Sequence, residues 1–241
     1  MKIGILETDR LSETLRKQYG SYGDMFQNLL HSVDRGLTLP CYQVTDSVYP
    51  ENIDDCDAYL ITGSKSSIYD DNPWIKQLQD YVINLAGVQK KLIGICFGHQ
   101  LIAQALGGRA QKSEKGWGVG LATSTVYVSK PWMDPAQETF ALIISHQDQV
   151  TALPPHAELI AGDEFCVYAS YQVGDHILTF QGHPEFTREY ARQRMHDRRE
   201  IIGEQRYQQG MASLNQNADD LLIAKWIINF VRGWGVSFLP I

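Results

Sequence analysis

Three things are scarce in this chain, and each shortage removes a class of function. Cations are outnumbered: 21 Lys and Arg stand against 28 Asp and Glu, a formal charge of −7, whereas a nucleic-acid binder concentrates Lys and Arg on one face. The only basic cluster, residues 188–199, is interleaved with Glu189, Asp197 and Glu200 and reads as a solvated helix face. Nucleic acid is not an expected partner.

Cysteine is sparse too. Cys41, Cys56, Cys96 and Cys166 show no close pairing and no CxxC spacing, which excludes a disulfide scaffold and a zinc site and fits free thiols in a reducing compartment. No metal and no cofactor are expected. Long apolar runs are missing as well, since none approaches the roughly 20 residues of a membrane helix. The chain starts straight into Lys2-Ile3-Gly4-Ile5-Leu6, without the charged, apolar and cleavable regions of a signal peptide. A cytoplasmic location with no membrane partner is the expectation. Repeats and flexible linkers are also lacking, so residues 1–241 are expected to form a single domain.

What is present is a strand and helix alternation. Residues 2–6, 38–44, 58–62 and 92–95 read as strands. Helical spacing marks 25–33, where apolar residues stand at 25, 26, 29, 30 and 33, and a stretch opened by Asn72-Pro73-Trp74 that carries Ile75, Leu78, Val82 and Leu85. After Gly108 the pattern becomes β-rich: 121–128, 140–145, 157–161, 166–173 and 176–181 read as strands, the last two joined by Gly174-Asp175 as a tight hairpin turn. Residues 187 to about 211 read as one charged helix, and 221–231 as a last amphipathic helix. The expected fold is α/β: a layered, mostly parallel central sheet flanked by helices, with a smaller antiparallel portion and a helical extension at about 187–241.

The chain is organised around Leu92-Ile93-Gly94-Ile95-Cys96-Phe97-Gly98-His99-Gln100. A buried strand runs into a helix, predicted over 99–106, and Cys96 sits in the joint as Gly-x-Cys-x-Gly, a cysteine form of the nucleophile elbow. A Cβ at either flanking glycine would collide with a neighbouring helix or strand in so tight a bend. A thiol at a helix N-terminus meets unpaired N–H groups and the positive end of the dipole, which favour thiolate. Cysteines are also often simply buried, so the elbow alone leaves both readings open.

Two further segments bear on it. The third strand ends in Gly63-Ser64-Lys65-Ser66-Ser67, a small-residue loop whose amides could face an anion or a polarised carbonyl. In a parallel sheet, functional loops gather at the carboxyl ends of strands. The hairpin ends in Gln181-Gly182-His183-Pro184-Glu185-Phe186. Pro184 biases His183 towards extended backbone, where residues two apart face one side, so His183 and Glu185 can aim at one place as a base and its orienter. His99 lies close to Cys96 in sequence, but its side chain is held back along the same helix.

These segments resemble the successive signatures of class I glutamine amidotransferases: Gly94 to Gln100, then Ser145-His146-Gln147-Asp148 followed by Val150, Leu153 and Pro154, then His183-Pro184-Glu185. The resemblance covers about the first 190 residues and implies a flavodoxin-like fold of the amidotransferase type. It implies a Cys–His–Glu triad that releases ammonia from the side-chain amide of glutamine through a γ-glutamyl thioester. Cys96 would be the nucleophile, His183 the base and later the acid, and Glu185 its orienter. The N–H groups of Ser64 and Phe97 would form the oxyanion hole; Gly63, Gln100, Gln147 and Asp148 would hold the substrate.

The chain departs from the family where many members have Gly-Gly-Pro in place of Gly63-Ser64-Lys65 and a Phe in place of Gly182. A side chain at 64 is expected to narrow the pocket. The family's glutaminase unit normally feeds a synthase, which makes an ammonia-accepting synthase subunit an implied partner. No Walker-type loop is present for such a synthase within the chain. The Gly-Ser-Lys loop, the Gly116-Trp117-Gly118 segment and the helical tail are more similar to stand-alone members, including γ-glutamyl peptidases that act on glutathione-like compounds. A non-catalytic binding module that kept the fold is the third reading.

Overall fold

The apolar run Ile3-Gly4-Ile5-Leu6 has no polar alternation, which is the pattern of a strand covered on both faces. In the computed structural model, which describes residues 1–233, it forms β1 (Ile3–Glu7), buried throughout. The end of the expected C-terminal extension, 234–241, lies outside the described residues. β1 pairs in parallel with β2 (Cys41–Gln43) and β3 (Ala58–Ile61), β3 with β4 (Lys91–Ile95), and β4 with β11 (Ile177–Phe180). The order β2-β1-β3-β4-β11 is that of a flavodoxin-like sheet.

The same sheet continues in antiparallel pairing through β10 (Ser170–Val173), β9 (Ala157–Gly162), β6 (Gly118–Val126) and β7 (Thr139–His146), making nine strands. The antiparallel portion is thus an extension of the parallel half. A separate pair, β5 (Arg109–Lys112) with β8 (Asp148–Ala152), went unforeseen. β5 is a strand of polar residues with only Ala110 buried, and carries no alternating apolar signal.

Helices cover both faces. α2 (Tyr22–Val33) and α8 (Asp220–Arg232) pack on one side with Phe26, Leu30, Trp226 and Ile227; α3 (Pro73–Gly87) and α4 (Phe97–Ala105) pack on the other with Leu78, Val82, Leu101 and Ile102. α2 begins at Tyr22, earlier than its apolar spacing indicates, because Ser21 and Asp24 form a capping box: Asp24 N–H donates to Ser21 Oγ at 3.1 Å and Ser21 N–H to Asp24 Oδ2 at 2.7 Å. The short α1 (Glu13–Tyr19) precedes it and ends at Gly20.

Two predicted elements differ. The single helix over 187–211 is three: α5 (Arg188–Asp197), α6 (Arg199–Ile202) and α7 (Glu204–Ser213). Arg198 leaves helical geometry and Gly203 adopts φ +83° between them, a conformation glycine adopts without steric cost. The strand predicted over 166–173 begins only at Ser170, since Asp163 Oδ1 accepts from the N–H groups of Phe165 and Cys166 and turns the chain there.

Candidate active site

Sheet register explains why distant segments meet. Phe180 at the end of β11 lies beside Ile95 at the end of β4, and Cys96 N–H donates to Phe180 O at 2.8 Å. Ile61 at the end of β3 lies beside Gly94. The elbow, the 63–67 loop and the segment after β11 therefore leave the sheet at one edge, next to the β1/β3 junction where strand order reverses.

Cys96 has φ +50° and ψ −99°, a region L-residues avoid and one that marks functional turns. The flanking glycines are required for the reason the sequence indicates. A Cβ on Gly94 would stand 2.8 Å from Gly98 carbonyl atoms, and one on Gly98 only 2.6 Å from Ile61 O. Helix α4 therefore packs backbone to backbone against β3 and β4.

His183 is anchored to β7 by donation of its N–H to Ile143 O at 2.7 Å. Its Nδ1 donates to Glu185 Oε1 at 2.7 Å, and both side chains are buried. One ring face stacks on Phe186, with centroids 3.9 Å apart and planes at 8°. The edge of the ring meets Gly63: a Cβ there would lie 2.7 Å from His183 Cε1 and 3.5 Å from Cys96 Cβ. One point in space thus touches both the imidazole and the thiol-bearing carbon. Burial of the ring acts to lower the pKa of His183, but the Glu185 carboxylate and the Cys96 sulfur outweigh it and raise the value. The Cys96 sulfur acts on the ring both through its charge and as a hydrogen-bond partner.

The 63–67 loop is tied to the end of β1. Thr8 Oγ1 donates to Gly63 O at 2.8 Å, Ser64 Oγ donates to Thr8 O at 2.9 Å, and Asp9 accepts from Lys65 N–H at 3.1 Å while pairing with Lys65 Nζ at 3.0 Å. The Ser64 side chain, expected to narrow the pocket, lines the cavity with its hydroxyl held on Thr8. The N–H groups of Ser64 and Phe97 have no hydrogen-bond partner among the described residues. At Gly182, where many family members carry Phe, a Cβ would lie 2.7 Å from Leu142 Cβ, so Leu142 occupies that space here.

A cavity of about 210 Å³ opens above Cys96, lined by Ser64, Phe97, Gln100, Gln147 and Asp148 among others. It is smaller than the roughly 300–1,000 Å³ of clefts that enclose drug-sized ligands and suits an amino-acid-sized group. Gln100 Nε2 donates to Asp148 O at 2.8 Å and to Gln181 Oε1 at 3.0 Å. The Asp148 carboxylate accepts from Ser67 Oγ at 2.6 Å and from the Tyr69 hydroxyl at 2.9 Å. Of the nine residues singled out in the sequence, all but Gly63, His183 and Glu185 line the cavity; Gly63 lies against both Cys96 and His183, and Glu185 is bonded to His183.

His99, set aside in the sequence, is fully buried with Nδ1 2.8 Å from Thr179 Oγ1. Burial pushes its pKa down to about 3. His146 donates from Nδ1 to Asp148 O at 3.0 Å and is pushed down to about 4, again mainly by burial. Both rings are neutral. Cys166 is pushed up to about 12, chiefly by burial; Cys41, exposed but beside Glu7 and Asp24, is pushed up to about 12 as its sulfur is partly withdrawn from water and faces those carboxylates.

Thr8, Asp9, Phe186, Trp117 and Arg198 escaped the sequence reading. Thr8 and Asp9 follow the end of β1, so the rule that functional loops collect at strand carboxyl ends could have found them. Arg198 belongs to the cluster read as a solvated face; only Glu189, His196, Asp197 and Arg199 in it are exposed, and Arg198 is half-buried and lines the cavity. Among the described residues no cluster of His, Cys, Asp and Glu is suited to a metal, and no helix is long and apolar enough to cross a membrane.

Comparison with known proteins identifies the family. The family model "glutamine amidotransferase class-I" matches residues 19–201. The chain is 33% identical over 185 residues to γ-glutamyl peptidase 4 of Arabidopsis thaliana, covering 74% of this chain and 73% of that protein. It is 30% identical over 243 residues to a glutamine amidotransferase-like protein of Schizosaccharomyces pombe, covering 95% and 98% of the two chains. A crystal structure of a glutamine amidotransferase from Thermotoga maritima shares the fold with a TM-score of 0.73 at 13% identity, over 95% of this chain and 96% of that one. The protein belongs to the class I glutamine amidotransferase family.

Proposed function

We propose that this protein hydrolyses the γ-carbonyl bond of glutamine or another γ-glutamyl compound through a thioester on Cys96, and that residues 1–241 act as one amidotransferase-like domain. The observation that carries this reading is the convergence of three side chains from two segments far apart in the chain. Cys96 stands on a strained elbow, His183 touches the same point of space, and Glu185 holds His183 Nδ1 at 2.7 Å.

In this reading Glu185 fixes the tautomer and orientation of His183, which leaves Nε2 for the Cys96 proton. The raised pKa of His183 suits it to take that proton. The thiolate attacks the γ-carbonyl carbon, and the developing oxyanion is received by the N–H groups of Ser64 and Phe97. Each such donor is worth on the order of 3 kcal/mol in the transition state. The carbon–nitrogen bond breaks as His183 returns its proton to the leaving nitrogen. Water, deprotonated by His183, then attacks the thioester, releases glutamate and restores the thiol. The Asp148 carboxylate and the peptide groups of 147–148 hold the amino-acid end, and Gln100 buttresses them.

The same acyl-enzyme serves an amide or a peptide, because only the leaving amine differs. γ-Glutamyl peptidase activity is the second reading, favoured by the name of the Arabidopsis relative that matches 74% of this chain. An ammonia-accepting synthase subunit is a partner in the first reading only. The test is release of ammonia from glutamine, and of the amine from glutathione, by wild type and Cys96→Ala. Turnover by wild type alone supports the proposal, and the faster substrate chooses between the readings. Equal rates in both proteins would reduce it to a fold assignment and favour a binding module.

A further inference from the structure

Arg198 joins α5 to α6 and lines the Cys96 cavity. Its guanidinium packs over the Trp117 ring, with Cζ 5.4 Å from the centroid, and Nη1 donates to Ser145 Oγ at 3.3 Å. A guanidinium has five N–H donors. That single bond is the only hydrogen bond its side chain makes among the described residues, and no carboxylate pairs with it. Among the nearby cations Lys65 pairs with Asp9 at 3.0 Å, Arg194 with Asp197 at 3.3 Å, and Arg206 with the carbonyls of Trp117 and Lys115, while Lys112, also in the lining, is exposed to water. Cations withdrawn from water are normally paired. An arginine held flat on an indole, with free donors and a cavity in front of it, is built to take an anion, and its planar fork suits a carboxylate.

The position of Arg198 indicates which carboxylate. Ser145, the residue it bonds, lies on β7 two residues from Ile143, whose carbonyl accepts the His183 N–H at 2.7 Å. Arg198 therefore stands on the His183 side of the sulfur. The group suited to a substrate ammonium, Asp148, is held elsewhere in the lining by Ser67 and Tyr69. In the acyl transfer proposed above, His183 delivers the proton to the leaving nitrogen, so the leaving amine lies on the His183 side.

We propose that Arg198 is a specificity residue that binds a carboxylate on the leaving amine, which makes γ-glutamyl amino acids and peptides with a free carboxylate the preferred substrates over glutamine. This rests on the hydrolase reading and narrows it: ammonia, the leaving group of glutamine, offers Arg198 nothing.

The test compares a γ-glutamyl dipeptide with its C-terminal amide, two substrates that differ only in the charge at the leaving end. Wild type should show kcat/KM about 10- to 100-fold higher for the free acid, the range for hydrogen bonds to a charged partner. In Arg198→Met, which keeps a stem over Trp117, the ratio should fall close to 1 through loss on the acid; Arg198→Lys should retain part of it. A wild-type ratio near 1, or an equal loss on both substrates in Arg198→Met, overturns the inference. Calorimetric binding of the same pair to Cys96→Ala separates the two layers. A binding preference for the acid without turnover by wild type would sink the hydrolase reading and keep this one, while turnover without preference would do the reverse.

Discussion

Gly63→Ala tests the geometry of the site with a single methyl group. The backbone at Gly63 is outside the left-handed region, so alanine meets no conformational penalty there, and the whole effect comes from its Cβ. That carbon would stand 2.7 Å from His183 Cε1, against 3.4 Å or more for ordinary contact. The ring cannot withdraw freely. Phe186 lies parallel to it at 3.9 Å, Glu185 holds Nδ1, and the His183 backbone is bonded to Ile143. A forced displacement of roughly 0.7–1 Å remains, and misplacement on that scale costs about 100-fold in rate. Overpacking of this kind costs about 1–3 kcal/mol of stability, which corresponds to a fall in Tm of roughly 2–12 °C for a chain of this size. The assay is amine release from a γ-glutamyl dipeptide alongside a thermal melt. The expected result is a folded protein whose kcat falls about 100-fold with a smaller change in KM. Wild-type kcat in a protein that carries the alanine would refute the placement of His183 against Gly63 as the working arrangement.

Three more predictions follow from the same contacts. Glu185→Gln removes the charge that orients His183 and favours its protonated form, and should lower kcat by roughly 10²–10⁴-fold with the fold retained by circular dichroism. Gly98→Ala drives a Cβ to 2.6 Å from Ile61 O and should lower Tm by several degrees, whereas Gly87→Ala, with nothing within 4 Å, should be neutral or raise stability by up to about 1 kcal/mol. His99 and His146 have folded values of about 3 and about 4, below the usual 6.5, so the unfolded chain binds more protons between those limits and stability falls as pH drops below 6.5. Each should cost about 2 kcal/mol between pH 6.5 and pH 5, read as a drop in Tm that His146→Gln roughly halves. His183 has the opposite sign: its raised value lends stability that is full below pH 6.5 and is lost only as pH rises through the folded value.

The elements that carry the site were the most legible part of the chain. β1, β3, β4 and β11 are apolar runs buried on both faces, and the glycines at 94 and 98 mark the elbow because backbone packs on backbone there. The pairing of His183 with Glu185 follows from two residues across a proline in extended chain. Less legible were features with no local signature. The charge pattern of 188–211 is continuous, yet the chain breaks at Arg198 and Gly203, and only that break turns Arg198 into the cavity. β5 is polar because it pairs only with β8, in a two-stranded sheet apart from the main one. The network from Thr8 and Asp9 to the 63–67 loop joins segments more than 50 residues apart, a separation that no periodicity reports.

The central claim, that Cys96 is the one thiol positioned to attack a γ-glutamyl carbonyl, is tested most directly by labelling with a glutamine-like diazo-ketone and mapping the modified peptide by mass spectrometry. Cys56 and Cys166 are buried and Cys41, though exposed, has its thiol pushed up to about 12, so one equivalent of label should appear on Cys96, be slowed by excess glutamine or γ-glutamyl peptide, and disappear in Cys96→Ala and His183→Ala. Label that spares Cys96, or that forms on it equally well without His183, would contradict the account.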